Sequence, residues 1–336
     1  MKEIINKIIE RINTSLKTEE DDYVDIPYHE AVKINKNNFN KIINKKTNKK
    51  ICFVDGGNSE IIRASNFSLQ FIRVYYNIFK DNKKLKGKRF EFFVLVNAVN
   101  KDGKIVYESE FFGNDLKIDK FIFDSFDKSL KTGEHRVNIS RIGEIARRFL
   151  EIEVCNIAFN EIDSGDFLVM DRDLEVNITN EEMFFDKLYK EALKKNVIVS
   201  GLSKTTNLLT KKGNSVNALL NSLKEGSWYY KVELDDFDMY FVKLHEKSKY
   251  CFRFDVSKKV NYEINEILSL LTENSKDPVF LGYPYGLIDA DKFARVSNNE
   301  RDYLRTMFIA KFGKRWKEIE KYETSLDAHD VLNRIC

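Results

Sequence analysis

Short apolar runs that end in an aspartate constrain this chain more than any other feature. ICFVD occupies positions 51–55 and DFLVMD occupies positions 166–171, so Asp55 and Asp171 each close a run of β-strand length. Runs that are apolar throughout predict strands buried on both faces, and therefore a sheet covered by helices. Ligand sites in such sheets gather at the carboxyl ends of the strands.

The segments between these runs predict the remaining elements of the core. RFEFFVLVNAV (89–99) and KIVYESEFF (104–112) predict two strands joined by the turn NKDGK. Helical periodicity follows over residues 139–162, and a second predicted helix at 181–195 precedes a buried strand at 196–201. Strands and helices in this order predict an α/β fold with a mixed sheet flanked by helices.

Additional strands and helices are predicted beyond this core. Three strands are expected within residues 226–256. Helices are expected at 260–273, 286–296, 299–320 and 325–334. No low-complexity hinge divides this part of the sequence, and we predict a single domain over residues 51–336.

The first 50 residues differ from the rest. A predicted helix over residues 1–17 places isoleucines 4, 5, 8, 9 and 12 on one face. That face either packs on the domain or forms a dimer contact. Residues 18–50 are polar and predict a linker with a helix near 29–44, so residues 1–50 are expected to form a separate N-terminal region.

Composition narrows the class of protein. Hydrophobic residues make up 43% of the 336 residues, as in globular chains, and a net charge of +3 decides nothing about a polyanionic partner. No apolar run approaches the roughly 20 residues of a membrane span, and the N-terminus has no signal peptide. We therefore expect a cytoplasmic protein. Four cysteines without paired spacing predict buried free thiols.

The two strand-terminal aspartates predict a metal site if they converge, because a divalent cation removes their repulsion. A single such aspartate more often caps a turn. RNase H-like folds order their acids as an Asp on the first strand, a Glu on the next helix and an Asp on the fourth strand. The helix here offers Glu144, Glu151 and Glu153, and Glu151 is preferred. Two Mg²⁺ or Mn²⁺ ions on such acids can hydrolyse a phosphodiester.

The sequence also resembles the NurA nuclease family over residues 51–334. The resembling segments, in chain order, are CFVDGGNS (52–59), RRFLEIEVCNIAF (147–159), FLVMDRDLE (167–175), VSGLSKTTN (199–207), FRFDV (252–256), GYPYGLIDADKFARV (282–296) and AHDVLN (328–333). The resemblance implies an RNase H-like fold and a DNA nuclease with 5′–3′ exonuclease and single-strand endonuclease activity in the resection of double-strand breaks. It also implies two Mn²⁺ ions, with Mg²⁺ as the alternative, a homodimer, and the hexameric HerA helicase as partner.

By position, the resemblance assigns metal-ligand roles to Asp55, Glu151 and Asp171 and places Tyr283 beside the metals. The family has a histidine eight residues after that tyrosine, and here the position is Asp291. A carboxylate oxygen is a harder ligand than an imidazole nitrogen and suits Mg²⁺ or Mn²⁺. We therefore expect Asp291 to bind metal as well. All five residues are therefore candidates for the catalytic centre.

Three basic residues are expected to bind the substrate. Lys204 can contact the scissile phosphate as a point charge. Arg253 faces either the substrate or an acid partner. Arg172 and Asp173 replace the usual Gly-Ser after the aspartate, and Arg172 either competes with the metal or holds a phosphate. Gly57 stands where the family has serine, a replacement that a turn would tolerate.

Two other functions compete with a DNA nuclease. The departures at positions 172, 173 and 291 suggest a catalytically degenerate RNase H-like subunit that clamps DNA or regulates a helicase. An RNA-directed nuclease of the same superfamily is the third possibility. Cleavage of DNA, of RNA or of neither would separate them.

Overall fold

The computed structural model of the chain describes residues 1–15, 22–27, 29–113 and 118–323. The α-helices are α1 (Lys2–Ser15), α2 (Ile139–Ala158), α3 (Glu181–Lys195), α4 (Val216–Leu223), α5 (Ile264–Asn274), α6 (Tyr285–Ala294) and α7 (Asn298–Phe312). The strands are β1 (Tyr23–Asp25), β2 (Val32–Lys33), β3 (Phe39–Lys41), β4 (Ile51–Arg63), β5 (Phe67–Lys80), β6 (Lys83–Lys101), β7 (Lys104–Phe112), β8 (Ile122–Asp124), β9 (Phe167–Met170), β10 (Ile198–Ser203), β11 (Leu209–Thr210), β12 (Trp228–Glu233), β13 (Phe237–Lys243) and β14 (Phe252–Ser257).

Most strands belong to one large sheet. A small sheet has the order β11-β1-β2, and the large one has the order β3-β12-β13-β14-β10-β9-β4-β5-β6-β7-β8. Helix α2 packs on β4, β5 and β6. The predicted class is thus confirmed: a mixed α/β fold with a large sheet flanked by helices and further C-terminal strands and helices. No described helix is long and apolar enough to cross a membrane.

The chain folds as two compact units. The first contains Met1–Lys49, Val169–Leu174 and Ile198–Tyr285, and the second contains Lys50–Leu168, Glu175–Val197 and the described chain from Gly286. In the first unit, β3, β12, β13, β14 and β10 form successive antiparallel pairs. In the second unit, β4 to β8 form an antiparallel meander. The boundary expected near residue 51 stays a prediction.

Aromatic packing fixes α2 in the second unit. Phe149 of α2 stacks on Phe184 of α3 with ring centroids 4.5 Å apart, and Phe121 meets Phe149 edge-on at 5.1 Å. All three side chains are buried, and the burial of each contributes about 2–3 kcal/mol to the free energy of folding. Gly143 allows close approach to the sheet, because a Cβ there would lie 2.1 Å from the Gln70 amide carbon. Helix α2 is therefore held rigidly against the sheet.

Several sequence predictions need correction. The predicted helix near 29–44 is wrong: this segment forms β2, a short 3₁₀ turn and β3. Strand β5 was missed, because its uninterrupted burial leaves no alternating pattern and its residues mix aromatic with polar types. Strand β4 continues to Arg63 through the polar residues 56–60, since a long hairpin with β5 half-buries them. The predicted helix at 325–334 lies outside the described residues.

Two other predictions have clear outcomes. The isoleucines of α1 at positions 4, 5, 8, 9 and 12 are 47–58% exposed, so the described structure does not show them packed on the domain. Cys52, Cys155 and Cys251 are buried free thiols, as predicted.

Candidate functional site

Asp55 lies within β4 rather than at its end. Its side chain is only 7% exposed, and its Oδ1 accepts a hydrogen bond of 2.7 Å from the backbone N–H of Gly56. Burial of a carboxylate is unfavourable unless donors or a cation compensate for the lost hydration. The backbone N–H of Gly56 is therefore one donor that compensates the buried Asp55 carboxylate for its lost hydration.

Of the three candidate glutamates, Glu151 is the one that α2 places against this part of β4. It is 5% exposed, and a Cβ on Gly56 would lie 2.4 Å from its Oε1, so the carboxylate occupies the space that glycine leaves. Glu144 is exposed, and Glu153 pairs with Lys187 at 2.7 Å. Its position beside β4 therefore favours Glu151 over Glu144 and Glu153 as the candidate metal ligand.

Arg147, which the sequence analysis missed, holds Glu151 in place. Its Nη1 donates to Glu151 Oε1 and to the carbonyl oxygen of Gly56, the latter at 3.1 Å. The nearby negative charge of Glu151 is the main cause that raises the pKa of Arg147, while burial opposes it. The spacing of four residues on one helix was the available signal, since such residues share a face.

Asp171 follows β9, and both of its oxygens have partners. The Tyr283 hydroxyl donates to Oδ1 at 3.0 Å, and the Lys204 ammonium lies 2.5 Å from Oδ2. Lys204 also lies 5.7 Å from the centre of the Tyr283 ring. The residues predicted at 171, 204 and 283 therefore form one cluster, in which lysine contacts the acid directly.

The position of Tyr283 depends on a glycine turn and on ring packing. Gly282 has a φ of 92°, which L side chains rarely adopt, and a Cβ there would lie 2.5 Å from the Ser248 side chain. The Tyr283 ring is 1% exposed and stacks on Phe280 at 5.1 Å. Core packing and a polar role thus coexist, because the buried ring aims its hydroxyl at Asp171.

The sequence left open whether Arg253 faces the substrate or an acidic partner. In the structure its partner is Asp255. Its Nε and Nη2 donate to the two oxygens of Asp255 at 2.9 and 2.8 Å, and the two side chains are 4% and 0% exposed. Asp255 Oδ2 also accepts from the backbone N–H of Leu174 at 3.1 Å. Direct contact of Arg253 with substrate stays a prediction that this pairing does not support.

The Arg253–Asp255 pair therefore holds the segment after Asp171. Burial raises the pKa of Asp255 to about 6, against the lowering effect of Arg253. Asp255 was missed in the sequence, although residues two apart on a strand share a face and the spacing Arg-x-Asp was visible.

The backbone of the unusual Arg172 packs closely against Gly201 of β10. Its carbonyl oxygen would lie 2.1 Å from a Cβ on Gly201, so only glycine fits beneath it. Its Nε donates to the carbonyl oxygen of Asp173 at 3.1 Å. Lys204 is a cation that contacts Asp171 directly. Competition of Arg172 with a metal, or its contact with a phosphate, stays a prediction.

Gly57 is required for close packing and not for a turn. A Cβ at this position would lie 2.5 Å from the carbonyl oxygen of Ala294 at the end of α6. Gly57 lies inside β4, where residue 57 pairs with Arg73. Serine here would need α6 to shift, so glycine is matched to this packing.

Three aspartates form the acidic group that could hold a metal ion. Asp55, Asp171 and Asp291 each offer one carboxylate oxygen, and these oxygens all lie within 4.8 Å of one another. Asp55 is buried, Asp171 is half-buried and Asp291 is exposed. Oxygen-only donors suit Mg²⁺ or Mn²⁺, so the donor set fits a hard divalent ion.

Similarity to known proteins extends over most of the chain. The family model described as the NurA domain matches residues 49–296. The NurA nuclease from Sulfolobus solfataricus is 15% identical, with 92% of this chain and 94% of that chain covered and a TM-score of 0.55, a likeness of fold. The catalytic domain of human Endonuclease V is 9% identical, over 80% of this chain and 92% of that one, with a TM-score of 0.39. No curated protein matches the sequence.

Proposed function

The chain belongs to the NurA family, and from this premise we propose that it is a metal-dependent deoxyribonuclease. The observation that carries the proposal is the group formed by Asp55, Asp171 and Asp291, whose oxygens lie within 4.8 Å of one another. Carboxylates this close repel one another, and a divalent cation offsets that repulsion. A nuclease family and a donor set for Mg²⁺ or Mn²⁺ thus support the same function.

We propose that Asp55, Asp171 and Asp291 hold the metal, with Glu151 as a further ligand beside Asp55. Two ions of Mn²⁺, or Mg²⁺ in its place, are the proposed cofactor. Bound divalent ions supply Lewis-acid stabilisation of the charge that develops on phosphate oxygens. The acids themselves orient the ions, and Arg147 keeps Glu151 directed towards β4.

Lys204 and Tyr283 are proposed to work on Asp171 and on the substrate. The Tyr283 hydroxyl orients the Asp171 carboxylate through its 3.0 Å hydrogen bond. Lys204, 38% exposed, exchanges its contact with Asp171 for a phosphate oxygen when DNA binds. A preorganised cation of this kind stabilises the transition state of phosphodiester cleavage. Arg172 and Arg253 remain proposed substrate contacts, with Arg253 the weaker candidate because it is buried against Asp255.

The finer assignments rest on the family resemblance alone. They are 5′–3′ exonuclease and single-strand endonuclease activity, a role in the resection of double-strand breaks, a homodimer, and a hexameric HerA-type helicase as partner. We also propose a cytoplasmic location. Each of these assignments needs its own measurement.

The central experiment is a cleavage assay on labelled linear DNA with Mn²⁺, with Mg²⁺ and with EDTA. We expect cleavage with Mn²⁺ and none with EDTA. Asp55→Ala and Asp171→Ala should abolish cleavage while the variants stay folded by circular dichroism. Full activity in either variant would contradict the assignment of the centre.

The same assay separates the competing functions. A degenerate subunit would bind DNA or the helicase and cleave nothing with any metal. An RNA-directed nuclease would prefer RNA over single-stranded and duplex DNA. The presence of Asp291 in the acidic group favours the active enzyme, because aspartate supplies a metal-binding oxygen where the family has the nitrogen ligand histidine.

A further inference from the structure

The turn between β5 and β6 and the start of β6 form one of the most basic short segments of the chain. Residues Lys80–Arg89 contain six basic residues and one acidic residue, a net charge of +5, whereas the whole chain carries +3. All other residues together therefore carry a net charge of −2. We call the basic residues of this segment the lysine edge, and they are Lys80, Lys83, Lys84, Lys86, Lys88 and Arg89.

The lysine edge lies on an open side of the meander in the second unit. Strand β6 pairs with β5 from Lys83 onward, but β7 pairs only with residues 93–101 of β6. Within the described ranges, no strand pairs with the other side of Lys83–Arg89. Every residue of this stretch is exposed.

The edge is rigid because a tight turn closes it. Asp81 and Asn82 form a two-residue turn with φ angles of 49° and 55°, a combination that suits the twist of a β-hairpin. Lys80 and Lys83 pair directly across the turn. The charges are therefore displayed on a fixed ladder and not on a flexible loop.

The acidic partners of the edge neutralise only part of its charge. Lys84 lies 2.6 Å from Asp289, Lys86 lies 2.6 Å from Glu161, and Arg89 lies 3.7 Å from Glu91. Lys86 is 47% exposed and Glu161 is 35% exposed, so their pair contributes at most about 1 kcal/mol and can exchange for a phosphate. Lys88 instead packs its ammonium over the Phe90 ring at 4.6 Å.

The strand register places the edge near Asp55 in the same unit. Asp55 pairs with Tyr75 across β4 and β5, and Tyr75 pairs with Arg89 across β5 and β6. Two strand spacings separate the backbones of Asp55 and Arg89, a distance of about 10 Å. From Arg89 the lysine edge extends back along β6 to the turn at Asp81 and Asn82.

Protection of an open strand edge explains lysines of this kind only in part. Charged side chains, lysine in particular, block the addition of another strand, but that role does not require six basic residues within ten. A second copy of the same edge is excluded as partner, since it carries the same positive charge. A phosphate backbone fits, because basic residues spaced along a rigid open strand edge can neutralise neighbouring phosphates and release counterions.

We propose that the lysine edge binds the phosphate backbone of DNA that leads to the centre at Asp55. This inference rests on the proposed nuclease function, because it names a second contact surface for that substrate. Its contacts are with phosphates and carry no sequence information. The edge therefore adds affinity without selecting a base sequence.

The test compares three variants in DNA binding with EDTA present, so that no cleavage occurs. Lys83→Gln, Lys86→Gln and Lys88→Gln are combined, and Lys84 is left intact because it contacts the buried Asp289. A charge-preserving variant has arginine at the same three positions. The control combines Lys190→Gln, Lys194→Gln and Lys276→Gln, which are exposed lysines on other elements. Fluorescence anisotropy of a labelled duplex at several salt concentrations gives affinity and salt slope.

We expect the glutamine edge variant to lose DNA affinity on the order of tenfold and to show a salt slope that is smaller by about two to three. The arginine variant and the control should bind like the unmodified chain. Equal affinity and slope in the glutamine edge variant and the control would overturn the inference. Cleavage by the unmodified chain with Mn²⁺ is measured separately, so failure of the proposed function is distinguished from failure of the edge assignment.

Discussion

Glu151 of α2 approaches Gly56 of β4 so closely that a Cβ on the glycine would lie 2.4 Å from Glu151 Oε1. Because Arg147 binds both residues, the carboxylate has little freedom to move aside. We predict that Gly56→Ala reduces the rate of Mn²⁺-dependent cleavage on the order of 100-fold, since a displacement of about 1 Å can have that effect. It should also lower the free energy of unfolding by about 1–3 kcal/mol through overpacking.

Gly103→Ala is the matched control for this prediction. Gly103 has a φ of 81°, and a Cβ there would meet nothing within 4 Å. The control should lose stability through backbone strain and keep its cleavage rate. Full activity of Gly56→Ala, measured beside it, would show that Glu151 does not contribute from this position.

Lys204 is predicted to have opposite effects on metal binding and on turnover. Its ammonium lies 2.5 Å from Asp171 Oδ2, so it competes with a metal for this oxygen. Lys204→Met should tighten Mn²⁺ binding about fivefold, which corresponds to ~1 kcal/mol for a partly exposed pair. The same change should reduce turnover on the order of 100-fold, because the phosphate loses its cation.

Isothermal titration with Mn²⁺ and single-turnover cleavage measure the two effects of Lys204→Met separately. Asp171→Asn should lose both metal affinity and turnover. Lys187→Met, at an exposed lysine paired with Glu153, should leave both unchanged. Weaker Mn²⁺ binding in Lys204→Met would exclude the competition.

Asp255 is predicted to make stability depend on pH. Its pKa is raised from 3.8 to about 6 in the folded chain, mainly by burial, so the folded state binds the proton more tightly. The contribution of this group to stability is therefore complete below pH 4 and is lost as the pH rises to 6. Asn at this position does not titrate, so the stability of Asp255→Asn lacks this pH dependence.

We expect the free energy of unfolding of the unmodified chain, minus that of Asp255→Asn, to fall by up to about 3 kcal/mol between pH 4 and pH 6.5. Urea unfolding at a series of pH values measures this difference. A difference that stays constant or increases with rising pH would be inconsistent with the raised pKa. Cleavage should also fall in this variant, because the Leu174 amide loses an ionised acceptor.

The isoleucine face of α1 is predicted to mediate the homodimer. Ile5 and Ile9 are 47% and 49% exposed, and an apolar helix face gains stability when a partner covers it. Ile5→Glu combined with Ile9→Glu should convert a dimer to a monomer in sedimentation velocity. Lys7→Glu on the same helix serves as the control for charge. A double variant that sediments as the unmodified chain does would assign the dimer contact elsewhere.

Local pattern was enough to predict much of the fold. Helices α2 and α3, strand β7 and the buried strands β9 and β10 follow from periodicity or apolar runs within each segment, and the structure confirms them. Local pattern failed at β5, where burial along the whole strand removes alternation. It also failed at residues 29–44, which form β-structure because β3 pairs with β12, far along the chain.

The sequence by itself determined the candidate acids, because Asp55 and Asp171 close apolar runs and the family motif marks position 291. Only the tertiary structure decided which partners those acids have. Glu151 stands apart from Glu144 and Glu153 because Gly56 leaves room for it, and Lys204 contacts Asp171 across two strand ends. These choices depend on atoms brought together from distant segments, and distances between such atoms are set by packing and not by local sequence.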